Sequence, residues 1–264
     1  MNNFKYFYQI NTIFESFDFA KKGELLIIDI GTHSGTEIKS FSNSRFFFNK
    51  ILKDFIKKFF SLRYKNFLKI LRYYFDLINS HFKLKKSINK ISLILIEPNF
   101  LHFSDSVYRH STLLIPCAID ERSKNYFDTS KLYIANSNKL SEGNSIFINK
   151  KNINKNSYLF VSSIKTEALI NIIQKRFMKK GLKIILRINC EGAEDQIIIK
   201  LKEKFPENLV GVLGSLKDVI DIKGKKKYNK LLRFMDKNNL KFIQFSSNIF
   251  SWKEAHSFII SHLK

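Results

Sequence analysis

The chain has 264 residues, 44% of them hydrophobic, so it can bury a substantial core; we expect one elaborated domain over residues 1–264. Its 46 Lys and Arg outnumber 23 Asp and Glu, and the net charge of +23 favours nucleic acid, an anionic membrane or an acidic glycan as partner. The alternative is that an AT-rich genome over-supplies Lys, Asn, Ile, Phe and Tyr, so that much of the charge is only solvated surface.

Three classes of protein are disfavoured by the pattern of the chain. Cys117 and Cys190 lie in apolar runs without metal or redox spacing, so we expect no disulfide framework and a reducing, cytoplasmic setting. The six His lack the paired spacings of metal sites, and no metal is expected. No run reaches the apolar length of a spanning helix and the first ten residues do not resemble a signal peptide, which predicts a soluble or peripheral protein.

The first predicted element is the apolar run from Leu25 to Ile30, which is typical of a buried parallel strand. Gly31 and Gly35 follow it in a polar turn, where glycine lets the backbone approach a ligand closely. A turn of this kind predicts a cofactor cradle before a helix. The alternative is a plain capping box, in which Ser34 and Glu37 satisfy the first amides of that helix.

The next segment is predicted to be helical and basic. Neither Gly nor Pro occurs from Thr36 through Glu97, and Arg45 to Ile91 carries 13 Lys or Arg against two Asp, a net charge of +11. Apolar residues recur there at helical spacing: Tyr64, Phe67, Leu68, Leu71, Tyr74, Phe75 and Ile78. Lys65, Lys69, Arg72 and Asp76 occupy the other face. We expect a helical insertion at about residues 45–91, with an earlier helix covering Phe46 to Leu62.

The apolar stripe of this insertion is expected to pack inward against its own domain. The alternative is that it meets an anionic membrane surface or a partner groove, which Lys and Arg beside Phe and Tyr also suit. Nucleic acid is the weaker option, because aromatic side chains on a buried stripe cannot stack on bases.

Five further apolar, β-branched runs follow the insertion. They are Ile91 to Pro98, Thr112 to Ile119, Leu182 to Asn189, Asn208 to Ser215 and Leu240 to Ser247. Helical patterns lie between most of them, including "TEALINIIQKRFMKKG" and "AEDQIIIKLKEKF", and this alternation predicts an α/β fold with a mainly parallel sheet. Between Lys131 and Ile164 we expect a hairpin-like excursion of short strands around an Asn-rich loop, mobile at its tip.

Acidic residues follow two of the predicted strands. Glu97 ends the second run, where an acid accepts both ribose hydroxyls in dinucleotide folds. It lies 68 residues after Asp29, whereas roughly 20 are expected, and an insertion explains the excess. Glu191 and Glu194 straddle Gly192 after the fourth run. They are either acids near a helix N-terminus or part of the strand-end edge where ligands bind.

Together these segments resemble the FkbM family of S-adenosylmethionine-dependent methyltransferases. "DIGTHSG" is similar to the family's first motif, "LIEPN" to its acidic second motif, and "LRINCEGAE" to its "K-I-D-x-E-G-A-E" signature. "PCAIDE" and "VSSIKTEALINII" also resemble family segments, so the resemblance covers most of Leu25 to Leu201. Arg187 and Asn189 depart from the signature, in which Lys and Asp are common.

The resemblance implies a Rossmann-like class I methyltransferase sheet with helices on both faces and an antiparallel final strand pair. It implies S-adenosylmethionine as cofactor and methylation of an oxygen, commonly a hydroxyl on a sugar, a glycan or a secondary metabolite. Asp29 would engage the methionine end through the turn, and Glu97 the ribose. The implied cofactor residues are Asp29, Gly31, Thr32, Gly35, Glu97, Pro98, Asn99 and Ala118, the last three around the adenine.

Methylating an alcohol also requires loss of its proton, which a carboxylate within hydrogen-bond reach can accept. Glu191 is the candidate base because it lies just beyond the fourth strand, with Asn189 as a hydrogen-bonding neighbour. Glu194, three residues on, is expected to cap or brace the next helix. The alternative function is a non-catalytic basic protein that binds a peripheral membrane surface or nucleic acid on a methyltransferase-like core.

Overall fold

The computed structural model describes residues 23–59, 67–135 and 143–263. The strands in chain order are β1 (Leu25–Ile30), β2 (Ile91–Ile96), β3 (Leu113–Ile115), β4 (Ala118–Ile119), β5 (Phe127–Ala135), β6 (Ile153–Ile164), β7 (Lys183–Ile188), β8 (Leu209–Gly214) and β9 (Lys241–Gln244). Six of them form a central sheet in the order β3-β2-β1-β7-β8-β9, with every neighbouring pair parallel. A smaller sheet has the order β4-β6-β5.

Helices cover the central sheet. They are α1 (Thr36–Ser42), α2 (Ser44–Phe59), α3 (Phe67–Lys86), α4 (Thr166–Arg176), α5 (Glu194–Lys204), α6 (Lys217–Lys223), α7 (Lys225–Lys237) and α8 (Trp252–Ser261). Short 3₁₀ turns occur at Ile88–Lys90, Phe100–His102, Ser106–His110 and Ile249–Ser251. The prediction of an α/β fold with a mainly parallel sheet is confirmed, and the architecture is compatible with a Rossmann-like fold.

Each face of the central sheet carries its own core. Alternate side chains of β1 divide between them: Leu26 and Ile28 pack with α4, α5 and α7, whereas Leu25 and Ile27 pack with α1, α2, α3 and α8. All six residues of β1 are buried, as a central parallel strand covered on both faces requires.

Two expectations about the strands are wrong. The final pair, β8 and β9, is parallel rather than antiparallel, with register from Gly211 opposite Lys241 to Gly214 opposite Gln244. The run from Thr112 to Ile119 divides into β3 and β4, which belong to different sheets. Pro116 lies at the division and has no N–H to continue a ladder.

The predicted hairpin-like excursion is present as the antiparallel pair β5 and β6. Its strands are long, nine and twelve residues, rather than short. The tip, where mobility was predicted, falls on residues 136–142 and lies outside the described residues. Within the described ranges, no helix is both long and apolar enough to cross a bilayer.

The predicted helices of the basic segment are present as α2 and α3, although the predicted stripe is only partly buried. Tyr74 is buried, but Leu68, Leu71 and Phe75 are exposed. The inward face of α3 instead carries Tyr74, Leu77, His81 and Leu84. Lys69 and Arg72 are exposed, as expected. Tyr64, Lys65 and the side chain of Phe67 lie outside the part of the chain that the structure describes.

A polar residue explains the error. His81 is fully buried, and both of its ring nitrogens have partners. Nδ1 lies 2.9 Å from the Ser40 carbonyl oxygen, and Nε2 lies 3.0 Å from Ser44 Oγ. With both ring nitrogens satisfied, the helix turns this face inward. A prediction from apolar periodicity alone therefore took a neighbouring face of α3 as the buried one.

Adjacent residues of α2 allow a test of this packing. Phe47 is fully buried and stacks on His81, with ring centroids 4.0 Å apart, whereas Phe48 is 37% exposed. Phe47→Ala should reduce the free energy of unfolding by about 3–5 kcal/mol, because it leaves a cavity in the core. Phe48→Ala should cost less than about 1 kcal/mol. Urea denaturation measures both variants, and equal losses would contradict the packing of α2.

Candidate functional site

A narrow cleft with a cavity volume of about 50 Å³ lies at the carboxyl ends of β1, β2 and β7. Its floor includes Ile30, Gly31 and Glu97, and its roof is formed by Leu132 of β5 with the following segment from Asn144 to Ile146. Ligands bind at this edge of parallel sheets because loops and helix starts converge there. The cleft is therefore the candidate functional site.

Six of the residues predicted from sequence line this cleft: Gly31, Glu97, Pro98, Ala118, Asn189 and Glu191. The other four lie outside the lining and are buried: Asp29, Thr32, Gly35 and Asn99. Asn99 Oδ1 accepts a hydrogen bond from the Leu101 amide at 3.2 Å and so caps a 3₁₀ turn. The cleft thus brings the three predicted motifs together. Some of the predicted residues line it, and the others are buried behind the lining.

Glu97 is the most notable acid of the cleft. Its side chain is buried, and its two oxygens accept hydrogen bonds from the amides of His33 at 2.9 Å and Asn99 at 2.8 Å. Burial raises the pKa of Glu97 to about 7, although both amides lower it. None of the ion pairs found among the described residues involves Glu97, so its orientation depends on backbone amides alone.

The glycine turn is shaped by the protein's own packing. Gly31 has φ of 76°, and a Cβ there would lie 2.1 Å from the Asn189 carbonyl oxygen. Gly35 has φ of 61° and stands as the N-cap of α1 without a side-chain cap. The capping-box interpretation is therefore wrong, because Glu37 instead forms an ion pair with Arg187 at 3.0 Å.

Arg187 holds this turn from beneath. Asp29 and Arg187 are opposite each other on β1 and β7, and Nη1 of Arg187 lies 2.8 Å from Asp29 Oδ1. The same nitrogen donates to the Gly31 carbonyl oxygen at 2.7 Å. Burial raises the pKa of Asp29 to about 6, while Arg187 lowers it. Thr32 adds a bond from Oγ1 to the Asp29 carbonyl oxygen at 3.1 Å.

Beyond β7, the two glutamates have different surroundings. Glu194 accepts the amides of Cys190 at 3.1 Å and Gly192 at 2.9 Å, so it braces the turn before α5 rather than capping the helix itself. Glu191 has φ of 61°, and its carboxylate accepts a bond from the Lys150 ammonium. Burial raises the pKa of Glu191 to about 8, whereas Lys150 lowers it. Lys150 Nζ also lies 3.7 Å from Asp218 Oδ1.

Several residues of the site were missed from the sequence. Lys150 and Arg187 form ion pairs with acids that are far away in the chain, so no local sequence pattern indicates their roles in the site. His33 lines the cleft with its ring centroid 4.3 Å from that of His102, and its buried Nδ1 has no partner among the described residues. Burial lowers the pKa of His33 to about 3, so its ring is neutral. Within the described ranges, no three His, Cys, Asp or Glu are grouped to hold a metal ion.

No known protein family, curated protein or solved structure matches this chain. The resemblance to methyltransferases therefore stays an expectation, and the case for a function depends on the cleft. A function for this protein must therefore be inferred from the chemistry of the cleft residues alone.

Removing the buried cation should test the support beneath the turn. Arg187→Met should lower the free energy of unfolding by about 3–5 kcal/mol, because Asp29 and Glu37 would remain as unpaired buried acids. Combining it with Asp29→Asn and Glu37→Gln should recover most of that loss. The control is Lys183→Met, at the start of the same strand. Thermal and urea denaturation measure the stability of each variant. If Arg187→Met alone were as stable as the wild type, Arg187 would not support the turn.

Proposed function

We propose that the protein is an S-adenosylmethionine-dependent methyltransferase that methylates a hydroxyl on a sugar, a glycan or a secondary metabolite. The observation that carries this proposal is the Glu97 carboxylate, which is buried at the cleft end of β2 beside the glycine turn of β1. A buried acid without an ion-pair partner costs folding energy, and such groups cluster where a ligand uses them.

The residues of the cleft fit that cofactor. The cleft is narrower than an ordinary small-molecule site, with a cavity of about 50 Å³, so it is the chemistry of its lining that supports the proposal. Each Glu97 oxygen accepts one amide, so each retains acceptor capacity for a ribose hydroxyl. Pro98, Ala118 and Ile119 supply an apolar wall for an aromatic base.

S-adenosylmethionine supplies a methyl group that its sulfonium has already activated. The chain's contribution is to hold donor and acceptor in line, and such positioning accounts for much of the rate gain in two-substrate reactions. Glu191 is suited to accept the proton of the hydroxyl, since its pKa of about 8 lies near neutrality. Lys150 holds the Glu191 carboxylate in place, and Asn189 lines the same edge.

A dinucleotide-binding oxidoreductase is the second candidate. The all-parallel order β3-β2-β1-β7-β8-β9 is the order of dinucleotide-binding sheets, and this observation favours it. The turn argues against it, because Gly31 and Gly35 are separated by three residues and do not form the G-x-G-x-x-G pattern. The methyltransferase is therefore the better-supported proposal.

Cofactor binding gives the first test. Glu97→Ala should weaken the binding of S-adenosylhomocysteine by about 1–3 kcal/mol, because the ribose hydroxyls lose a charged acceptor. In the wild type, affinity should rise as pH passes upward through about 7, since ionised Glu97 is the better acceptor. Glu97→Gln should remove this pH dependence. Calorimetric titration measures both effects, and exposed Glu203→Ala is the control.

Unchanged affinity in Glu97→Ala would remove Glu97 from the ribose site. A wild-type affinity that stays flat between pH 6 and pH 8 would contradict the ionisation argument, because about half of Glu97 is charged near pH 7.

Turnover gives the second test. Glu191→Gln should lower turnover by roughly a hundredfold or more with cofactor affinity nearly intact, because the shape remains while the base is lost. Lys150→Met should raise the pKa of Glu191 and move the pH–rate profile to higher pH, since the neighbouring cation is gone. Methyl transfer to a panel of glycans measures both. Normal turnover in Glu191→Gln would make Glu191 structural.

A further inference from the structure

Large apolar side chains lie in solvent on the two basic helices. They are Phe48, Leu52 and Ile56 on α2, and Leu68, Leu71, Phe75 and Phe82 on α3. We call these seven residues the apolar strip. Leu52 is 56% exposed and Phe75 is 65% exposed, although both lie in the middle of regular helices. A soluble surface rarely groups so many apolar side chains without a partner for them.

The two halves of the strip adjoin where α2 and α3 meet. Phe47 stacks on His81 near one end of the pair, and Phe55 meets Tyr74 at 5.8 Å further along, so α2 and α3 are antiparallel. All four of these residues point toward the core or its edge. In an antiparallel pair, the residues that follow the inward ones turn in opposite directions, so those of α2 and α3 point either toward each other or apart. The contact of Phe48 with Phe82, at 5.9 Å, confirms that the two halves adjoin.

Basic residues border the strip at a regular position. Five of its members are each followed directly by Lys or Arg: Leu52 by Lys53, Ile56 by Lys57, Leu68 by Lys69, Leu71 by Arg72 and Phe82 by Lys83. Successive residues of a helix are about 100° apart, so each cation lies beside the apolar side chain that precedes it. All five cations are exposed. The acids of α2 and α3 are Asp54 and Asp76, and each is already paired with a lysine at 2.6 Å.

This arrangement identifies the chemistry of the partner. An apolar strip bordered by exposed cations matches the boundary between anionic lipid headgroups and acyl chains. A second copy of the chain is a poor match, because each copy carries +23. The first 22 residues, which lie outside the described ranges, carry three Lys against Glu15 and Asp18, so their net charge does not complement the surface.

We infer that the apolar strip and its bordering cations dock the protein onto the surface of an anionic bilayer. The strip enters the headgroup region while the cations contact lipid phosphates. This surface belongs to α2 and α3, and the inference does not depend on the proposed methyl transfer.

Flotation of the full chain with vesicles tests the apolar contribution. Phosphatidylcholine vesicles containing phosphatidylglycerol should bind the protein, and vesicles of phosphatidylcholine alone should bind it much less. Phe75→Gln should weaken binding by at least about tenfold, because the apolar side chain no longer enters the lipid. The matched control is Phe160→Gln, since Phe160 is 68% exposed on β6, away from the strip.

A pair of double variants separates this surface from the overall charge. Lys53→Gln with Lys83→Gln should weaken binding roughly fivefold per lysine, because each cation near the membrane contributes about 1 kcal/mol. Lys226→Gln with Lys227→Gln, on exposed α7, removes the same charge and should have a much smaller effect. Binding by the wild type should also fall as salt rises.

Three results would overturn the inference. One is equal loss of binding in the two double variants, which would make the effect one of net charge alone. Another is absence of binding by the full chain together with binding by a chain that lacks residues 1–22, which would show that its own segment covers the strip. The third is dimer formation that Phe75→Gln abolishes while vesicles bind neither protein.

Discussion

The buried guanidinium of Arg187 is the contact on which the candidate site depends. It joins Asp29 of β1, Glu37 of α1 and the Gly31 carbonyl oxygen, so one side chain connects two strands, the glycine turn and the following helix. A buried cation is tolerated only when acids and carbonyl groups surround it. The position of the turn, and with it one wall of the cleft, follows from this arrangement.

Two acids line the cleft, and two others lie behind its lining. Asp29 accepts a bond from Arg187 through Oδ1, whereas its buried Oδ2 has no partner among the described residues, and Glu194 accepts two backbone amides. Glu97 and Glu191 line the cleft, and burial raises the pKa of both toward neutrality. Burial also raises the pKa of Asp29 to about 6 and that of Glu194 to about 7. Position in the cleft, and not pKa, therefore sets Glu97 and Glu191 apart.

The sequence predicts the parts of the fold that local patterns control. β1 was predicted with the correct ends because its run of five apolar residues, interrupted only by Asp29, ends directly before Gly31. Pairing over long distances was not predictable in this way: Arg187 and Asp29 are 158 residues apart, and Lys150 and Glu191 are 41 apart. The buried face of α3 was also missed, because periodicity defines a helix and a buried polar residue such as His81 decides which face turns inward.

We propose that the cleft accepts S-adenosylmethionine rather than a dinucleotide, although the strand order is that of dinucleotide-binding sheets. The most direct measurement is parallel calorimetric titration of the full chain with S-adenosylhomocysteine and with NAD⁺. We expect saturable binding of S-adenosylhomocysteine at one site per chain, with no displacement by NAD⁺. Saturable binding of NAD⁺ without binding of S-adenosylhomocysteine would contradict it.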